Sequence, residues 1–186
     1  MREDAAPEAL FREARWYACY TRARHEKQVE AQLTQKGIES YLPVVPRLRQ
    51  WKDRKKLVSW PLFPSYVFGR FTLRDVHTVL VLPGVSTIVR ARGYPTPIAD
   101  EEMASVRKLV LAAGETGLQP EVRPLIRTGE WVRVTEGPFQ GVEGIVVEER
   151  SRRRVLVGLA AIGQGVEIDV DIRVLKVIPT PSWAKV

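Results

Sequence analysis

The C-terminal third of the sequence constrains the fold most, because it consists of short β-branched runs separated by turn residues. Five such runs lie between Gly129 and Ile178. Runs of this length at this spacing are typical of a small β-barrel and not of a helical or parallel-sheet domain. The predicted strands cover residues 131–134, 144–147, 155–159, 166–170 and 174–178. We therefore expect a small five-stranded barrel here.

Glycines mark the turn between the first two of these strands. Gly137, Gly141 and Gly144 permit a positive φ and a close approach of the backbone, and Phe139 is expected to plug the barrel end. The spacing is not that of a phosphate-binding loop, because no G-x-G-x-x-G pattern is present and a strand follows instead of a helix. The glycines therefore predict a barrel turn and not a nucleotide site.

The region before the barrel has a different pattern. Residues 114–124 lack periodicity and are rich in glycine and proline, which predicts a linker. Residues 16–113 alternate between strand-like and helix-like segments, which predicts an α+β domain. The predicted strands are 16–21, 38–45, 66–71 and 85–89, and the predicted helices are 23–36, 74–81 and 100–114. Strand 66–71 has apolar residues on both faces and is expected at the centre of a sheet.

Positive charge is concentrated in one segment. The chain has 29 lysines and arginines against 22 acidic residues, a formal net charge of +7, which favours an anionic partner such as nucleic acid. Six basic residues and a single acidic one lie between positions 47 and 56. Trp51 and the nearby Trp60 are suited to stacking on bases or on a partner surface, and the alternative is that they pin the segment onto its own domain. The basic residues are Arg47, Arg49, Lys52, Arg54, Lys55 and Lys56. The alternative is an ordinary solvated hairpin or loop.

Several classes of protein are disfavoured. One cysteine, Cys19, and two histidines cannot form an internal disulfide or a common zinc site. The sequence has no nucleophile elbow, no P-loop and no histidine pair at metal spacing, so we expect neither an enzyme nor a cofactor. No apolar run approaches the roughly 20 residues that span a bilayer. Residues 1–15 are too acidic for a signal peptide and are expected to be flexible, so we expect a cytoplasmic protein.

Two motifs in a fixed order resemble a known family. Residues 129–148 resemble the KOW motif of transcription elongation factors and some ribosomal proteins. Trp16-Tyr17 opening a strand, a helix with Glu26 and Val29, and then the segment 61–68 (PLFPSYVF) resemble the N-terminal (NGN) domain of the NusG family. The resemblance implies an NGN-type antiparallel sheet with helices at 16–113, a linker at 114–124, an SH3-like KOW barrel at 125–179 and a tail at 180–186.

The branch of the family is indicated by the segment before strand 66–71. General NusG proteins usually carry Phe-Phe-Pro-Gly-Tyr there, whereas residues 62–66 read Leu-Phe-Pro-Ser-Tyr. This form, with the segment 19–22 (CYTR) and the His77-Thr78 pair, is closer to RfaH-like and UpxY-like specialised paralogues. The resemblance therefore implies action at specific operons.

The family resemblance also implies a function and a set of contacts. It implies a transcription elongation and antitermination factor that binds the clamp helices of the largest RNA polymerase subunit and the non-template DNA of the bubble, and so suppresses pausing and termination. The implied polymerase-binding residues are Tyr20, Phe63, Tyr66 and Phe68. The implied DNA-binding residues are Arg22, Arg24, His25, His77 and Thr78, to which the basic segment adds Arg54, Lys55 and Lys56.

The KOW domain is expected to bind a further partner, the ribosome or the termination factor Rho, with Ile162 as the candidate contact. RfaH can refold this domain into a helical hairpin. Here Gly158, Gly163, Gly165 and the β-branched run that follows disfavour helix by up to about 1 kcal/mol each, so we expect a stable barrel. We expect a monomer without membrane contact. The alternative function is an RNA-binding or ribosome-associated KOW protein that acts without polymerase.

Overall fold

The computed structural model describes residues 6–50, 55–91, 93–117, 120–124, 129–149, 152–171 and 174–182. Its contacts divide the chain into two compact units. The first comprises Met1–Leu42 and Phe63–Asp100, and the second comprises Pro43–Leu62 and Glu101–Val186.

Helices and strands are mixed along the chain without a repeating pattern. The helices are α1 (Ala9–Arg12), α2 (Glu26–Gln35), α3 (Val76–Leu80) and α4 (Asp100–Thr116), with one-turn 3₁₀ helices at Leu73–Asp75 and Ala160–Ile162. The first eight strands are β1 (Arg15–Thr21), β2 (Glu39–Tyr41), β3 (Val44–Gln50), β4 (Lys55–Pro61), β5 (Tyr66–Phe71), β6 (Val85–Ile88), β7 (Arg90–Ala91) and β8 (Tyr94–Pro95). The remaining strands are β9 (Glu121–Pro124), β10 (Trp131–Val134), β11 (Glu143–Glu149), β12 (Arg152–Leu159), β13 (Gln164–Asp169) and β14 (Leu175–Val177).

The first unit is built on an antiparallel sheet in the order β2-β5-β1-β6. Strand β5 is an interior strand, as its apolar pattern predicts. Residues 16–19 of β1 and 67–69 of β5 are all buried, so both faces of these strands are covered. This agrees with the near-continuous apolar sequence of the two strands, since a strand with one solvated face would alternate. The α+β fold class is confirmed.

Helix α2 begins three residues later than predicted and ends in a glycine cap. Arg24 has φ of +66°, outside the helical range, so the helix begins only at Glu26. At the other end Gly37 has φ of +74°, its N–H donates to Thr34 O at 2.9 Å, and Ile38 N–H donates to Leu33 O at 3.0 Å. These paired bonds form a Schellman motif, in which glycine supplies the left-handed residue.

The basic segment forms a hairpin of β3 and β4. The predicted strand 38–45 is interrupted, because β2 ends at Tyr41 and Pro43 cannot donate a ladder hydrogen bond. Beyond it the register places Arg47 opposite Val58 and Arg49 opposite Lys56. The sequence is compatible with either a hairpin or a loop for this basic segment, and the structure shows β3 and β4 paired as a hairpin.

The second β structure is an antiparallel sheet in the order β14-β10-β11-β12-β13-β9. The prediction of five strands is therefore wrong by one. The additional strand, β9, lies in the predicted linker and pairs with β13, where Val122 is opposite Val166. Helix α4 also passes the predicted end at Gly114 and takes three residues from that linker. The predicted linker therefore contains the last residues of α4 and the whole of β9.

The glycine turn is largely as predicted. Gly137 and Gly141 have φ of +83° and +77°, and Phe139 between them is buried. The placement of Gly144 in this turn is wrong, because it lies in β11 opposite Val132.

The segment expected to resist helix formation is strand in this structure. Gly158 of β12 lies opposite Gly165 of β13, and Gly163 in the connection has φ of +62°. The described residues of this region therefore form the β state that the sequence predicts.

Candidate functional site

Two tyrosines form an exposed aromatic pair at the end of the first sheet. Tyr20 near the end of β1 lies directly opposite Tyr66 at the start of β5. Their ring centroids are 5.3 Å apart in an edge-to-face arrangement. The Tyr20 side chain is 42% exposed, which is unusual for so large a ring, and Tyr66 is half-buried. The pair offers an exposed aromatic surface that carries two hydroxyl groups.

Phe63 and Phe68 do not belong to that surface. They are 1% and 0% exposed, with ring centroids 6.0 Å apart in an edge-to-face contact. Neither ring therefore offers the exposed surface that the direct polymerase contact implied by the family resemblance would need. Tyr66 and Phe68 share a face of β5, being two residues apart, but only Tyr66 stands at the strand end. The two phenylalanines carry no polar side-chain group and form part of the buried core.

The environment of Tyr66 changes its acidity. Burial raises the pKa of the Tyr66 hydroxyl above its ordinary value, and the neighbouring Tyr20 raises the pKa further. Both causes disfavour the phenolate. They favour the neutral hydroxyl, which can donate a hydrogen bond to a partner.

In the turn before Tyr66, both the backbone N–H and the carbonyl of Ser65 have hydrogen-bond partners. Ser65 has φ of +66°, a left-handed conformation that favours glycine. Its N–H donates to Glu26 Oε1 at 2.9 Å, and its carbonyl accepts from Thr21 N–H at 2.8 Å. Tyr66 N–H closes the turn on Phe63 O at 3.2 Å. The position of the Tyr66 ring thus depends on a turn that is fixed from β1 and from α2.

The candidate DNA-binding residues of the first unit lie on two neighbouring segments. Arg22 and Arg24 are exposed just before α2, and His25 is half-buried at its N-cap position, with Nδ1 3.1 Å from Ala23 O. His77 and Thr78 are exposed on α3. The positive end of the α2 dipole and its free N–H groups favour an anion at the same place as the two arginines.

A close approach of two backbones joins these segments. Arg22 N–H donates to Gly84 O at 2.8 Å, and Gln32 Nε2 donates to Pro83 O at 3.2 Å. Gly84 has φ of +99°, and a Cβ there would lie 3.0 Å from His25 Cβ. The loop that follows α3 is therefore fixed against the start of α2, as a composite surface requires.

The remaining candidate DNA-binding residues belong to the basic segment. Arg54 lies outside the described residues, and Lys55 and Lys56 begin β4 opposite Gln50 and Arg49. At the base of the hairpin the Arg47 guanidinium lies 5.5 Å from the centroid of the Trp60 ring. This cation–π contact holds the Arg47 guanidinium against a tryptophan of the same hairpin.

The candidate partner contact of the C-terminal sheet lies at a turn. Ile162 ends the 3₁₀ helix Ala160–Ile162 between β12 and β13 and is half-buried. Gly163 follows it with φ of +62°. The side chain therefore offers only part of its apolar surface to a partner.

Some kinds of chemistry find no support in the described part of the chain. Within those ranges there is no group of three or more His, Cys, Asp or Glu side chains that could hold a metal ion. Cys19 is buried in β1, and burial raises the pKa of its thiol to about 12, so little reactive thiolate forms at neutral pH. None of the described helices is long and apolar enough to cross a membrane.

The residues that position the site were missed by sequence reasoning. In the sequence Glu26 is part of the family motif only, and no local pattern relates Gly84 to the start of α2. A serine at position 65 where the resembled family carries glycine was a usable signal, because glycine at a fixed turn position often indicates a positive φ. The sequence offered no comparable signal for the partner of Glu26.

Comparisons with known proteins agree on one family. A family model described as "Transcription termination factor nusG" matches residues 14–107. The transcription termination/antitermination protein NusG of Thermus thermophilus is 30% identical over 178 residues, which cover 83% of this chain and 94% of that protein. The protein of the same description from Pseudomonas aeruginosa is 25% identical over 170 residues, covering 84% and 94%. The Escherichia coli protein is 32% identical over 113 residues, covering 58% and 61%.

Two solved structures cover most of this chain. The structure titled "Domain interaction in Thermotoga maritima NusG" covers 90% of this chain and 99% of its own, with a TM-score of 0.46 and 22% identity. The structure titled "Crystal Structure of MjSpt4:Spt5 complex conformation B" covers 89% and 97%, with a TM-score of 0.29 and 20% identity.

Proposed function

This chain belongs to the NusG family of transcription termination and antitermination factors, and from that premise we propose that it binds the clamp helices of RNA polymerase through Tyr20 and Tyr66. It is a transcription factor and not an enzyme. Phe63 and Phe68 support the binding surface from beneath and do not contact the partner. Binding at the clamp suppresses pausing and termination.

The observation that carries this proposal is the exposed tyrosine pair. A core aromatic would be covered, yet Tyr20 keeps 42% of its surface exposed beside a second ring. Tyrosine gives a large contact area at a small cost in side-chain entropy and is enriched among the residues that dominate binding energy. Cross-strand pairing and the turn at Ser65 position the backbone of the pair before binding, and preorganisation of this kind lowers the entropic cost of association.

The second proposed contact is with the non-template strand of the transcription bubble. Arg22, Arg24 and His25 at the start of α2 offer cationic and hydrogen-bonding groups for phosphates and base edges, and His77 and Thr78 extend the surface. The fixed loop at Gly84 supports a single composite site. On the second unit, the basic hairpin with Arg54, Lys55 and Lys56 contacts DNA upstream of the bubble.

The remaining parts of the proposal follow the family resemblance. The C-terminal domain, proposed at 125–179, recruits the ribosome or Rho through the surface around Ile162. The sequence before Tyr66 assigns the chain to the specialised branch, which acts at specific operons in the cytoplasm. In each case the factor stabilises the closed clamp only by the difference between its affinities for the closed and open states.

The test is the affinity of the full-length chain for RNA polymerase core enzyme. Tyr20→Ala and Tyr66→Ala should each weaken binding by about tenfold or more, because truncating an interface anchor costs about 2 kcal/mol. Phe11→Ala is the matched control, since Phe11 is 39% exposed in the same unit and has no role in the proposed contact. Equal affinities for the tyrosine variants and the wild type would remove the tyrosine pair as the attachment point.

A further inference from the structure

We propose that Glu26 is a positioning residue for the polymerase contact: its buried carboxylate fixes the turn at Ser65 and thereby sets the place of the Tyr66 ring. The inference rests on the proposed function for the identity of the surface. It adds the group that holds this surface in its binding conformation, which lies on a different element and 39 residues earlier in the chain.

Glu26 has the features of a residue retained for one specific bond. It is only 7% exposed, in the first turn of α2. Burying a carboxylate is costly unless hydrogen bonds compensate for the lost water. Its Oε1 accepts the Ser65 N–H at 2.9 Å, a length typical of a charge-assisted bond. The position of Glu26 at the N-terminus of α2 is also one where the helix dipole favours a negative charge.

The turn needs this bond because its backbone is strained. Ser65 is one of two described non-glycine residues with positive φ, and such conformations persist only where the surroundings over-determine them. Glu26 fixes the N–H of Ser65, and Thr21 fixes its carbonyl. With the carboxylate removed, one of these two constraints is lost and Ser65 can relax toward an extended conformation.

The consequence falls on Tyr66 because it is the next residue. Its ring meets Tyr20 edge to face at 5.3 Å, and that geometry defines the exposed surface. A relaxed turn populates several Tyr66 positions, and polymerase must then select the competent one. The apparent affinity falls in proportion to the fraction that remains competent.

The chain provides a matched control in the same helix. Glu30 lies one turn further along α2, and its Oε1 accepts the Leu42 N–H at 3.0 Å. Glu30→Ala therefore removes the same kind of carboxylate-to-backbone bond, from the same helix, but releases the end of β2 and not the turn before Tyr66. Comparing Glu26→Ala with Glu30→Ala separates positioning from general loss of stability.

The experiment measures the affinity of full-length variants for RNA polymerase core enzyme, at a temperature where circular dichroism shows each variant folded. Glu26→Ala should weaken binding roughly tenfold, the scale set by loss of a hydrogen bond to a charged group. Glu30→Ala should bind like the wild type although it melts at a lower temperature. Glu26→Gln, whose amide oxygen still accepts, should stay within about twofold. Equal losses for Glu26→Ala and Glu30→Ala would overturn the proposal.

A second variant covers the case in which Glu26→Ala does not fold. Glu26→Asp keeps the charge at the start of the helix but withdraws the carboxylate from Ser65 by one methylene, so it should fold and still lose affinity. Nuclear magnetic resonance of labelled tyrosines gives an independent readout: a loosened turn exposes Tyr66 and lowers its pKa toward 10.0. Wild-type affinity together with an unchanged Tyr66 titration in Glu26→Asp would overturn the proposal.

The outcomes also separate this inference from the proposed function. If Tyr66→Ala weakens polymerase binding and the Glu26 variants do not, the tyrosine contact stands and the positioning role is wrong. If Tyr66→Ala binds as tightly as the wild type, the tyrosine contact itself is wrong.

Discussion

Strained residues flank both candidate surfaces of the first unit. Among the described non-glycine residues, only Arg24 and Ser65 have positive φ, at +66° in each case. Arg24 stands at the start of α2 among the candidate DNA contacts, and Ser65 immediately precedes Tyr66. For an L-residue this conformation costs about 1–2 kcal/mol. The strain lies where contacts are proposed, and at Ser65 it is held by the Glu26 side chain and the Thr21 N–H.

The strain at Ser65 predicts a stabilising substitution. Ser65→Gly should raise the free energy of unfolding by about 0.5–1 kcal/mol, because relief of the left-handed strain exceeds the extra entropy that glycine loses on folding. Thermal and denaturant unfolding of the full-length chain measure the effect.

Ser86→Gly is the matched control for that measurement. Ser86 is exposed in β6 and does not have a positive φ, so glycine there should lower the stability by about 0.5–1 kcal/mol. A loss of stability in both variants would contradict the assignment of strain to Ser65.

At the scale of elements, the hairpin of β3 and β4 pairs basic residues in its backbone register. Its register places Arg49 directly opposite Lys56, an arrangement that weakens a strand pair. Lys55 and Lys56 are adjacent at the start of β4, and Arg47 lies against Trp60 on the same hairpin. A hairpin that served only its own stability would alternate charges of opposite sign. The observed pattern favours an external anion.

This pattern predicts that stability and DNA affinity change in opposite directions. Lys56→Glu should stabilise the hairpin by about 0.2–1 kcal/mol, because the pair with Arg49 becomes one of opposite charges. The same substitution should weaken binding to an elongation complex with upstream duplex DNA, and reduce the salt dependence of binding. Unfolding measurements and salt titrations test the two effects.

Lys36→Glu is the control for the change in net charge. Lys36 is exposed at the C-cap position of α2 and is not a candidate contact. The proposed DNA contact of the hairpin would be wrong if Lys36→Glu and Lys56→Glu weakened the complex equally.

At the scale of the whole molecule, the proposed function assigns separate contacts to the two units. The proposed contacts of the first unit are the tyrosine pair and the start of α2, and those of the second are the basic hairpin and the C-terminal sheet. Binding to polymerase changes transcription only if these contacts favour the closed clamp over the open one. Affinity alone, equal for both states, would leave pausing unchanged.

A transcription assay with purified polymerase tests the combined effect. The wild-type chain should shorten pauses and increase passage through a terminator, whereas Tyr66→Ala at the same concentration should lose most of this effect because less factor is bound. Phe11→Ala should act like the wild type. Genomic occupancy then separates a specialised factor, found at one or a few loci, from a general factor found at all transcribed genes. Undiminished activity of Tyr66→Ala would contradict the proposed attachment.

The sequence by itself determined the local elements and the family. Strands β5 and β10 lie where the β-prone runs predict them, and Gly137 turns the chain as its position indicates. These features depend on nearest neighbours, whose preferences are written in a short stretch of sequence. The order of the two motifs was sufficient to indicate the NusG family, to which the chain belongs.

Only the tertiary structure decided which side chains reach solvent and which distant groups meet. Tyr66 and Phe68 have the same β-prone surroundings in sequence. Packing nevertheless buries Phe68 completely and leaves Tyr66 only half-buried at the end of its strand. Strand β9 follows from pairing with β13, and the Glu26–Ser65 bond joins residues 39 positions apart. Exposure and long-range bonds depend on what other elements cover, and local sequence preferences do not specify that.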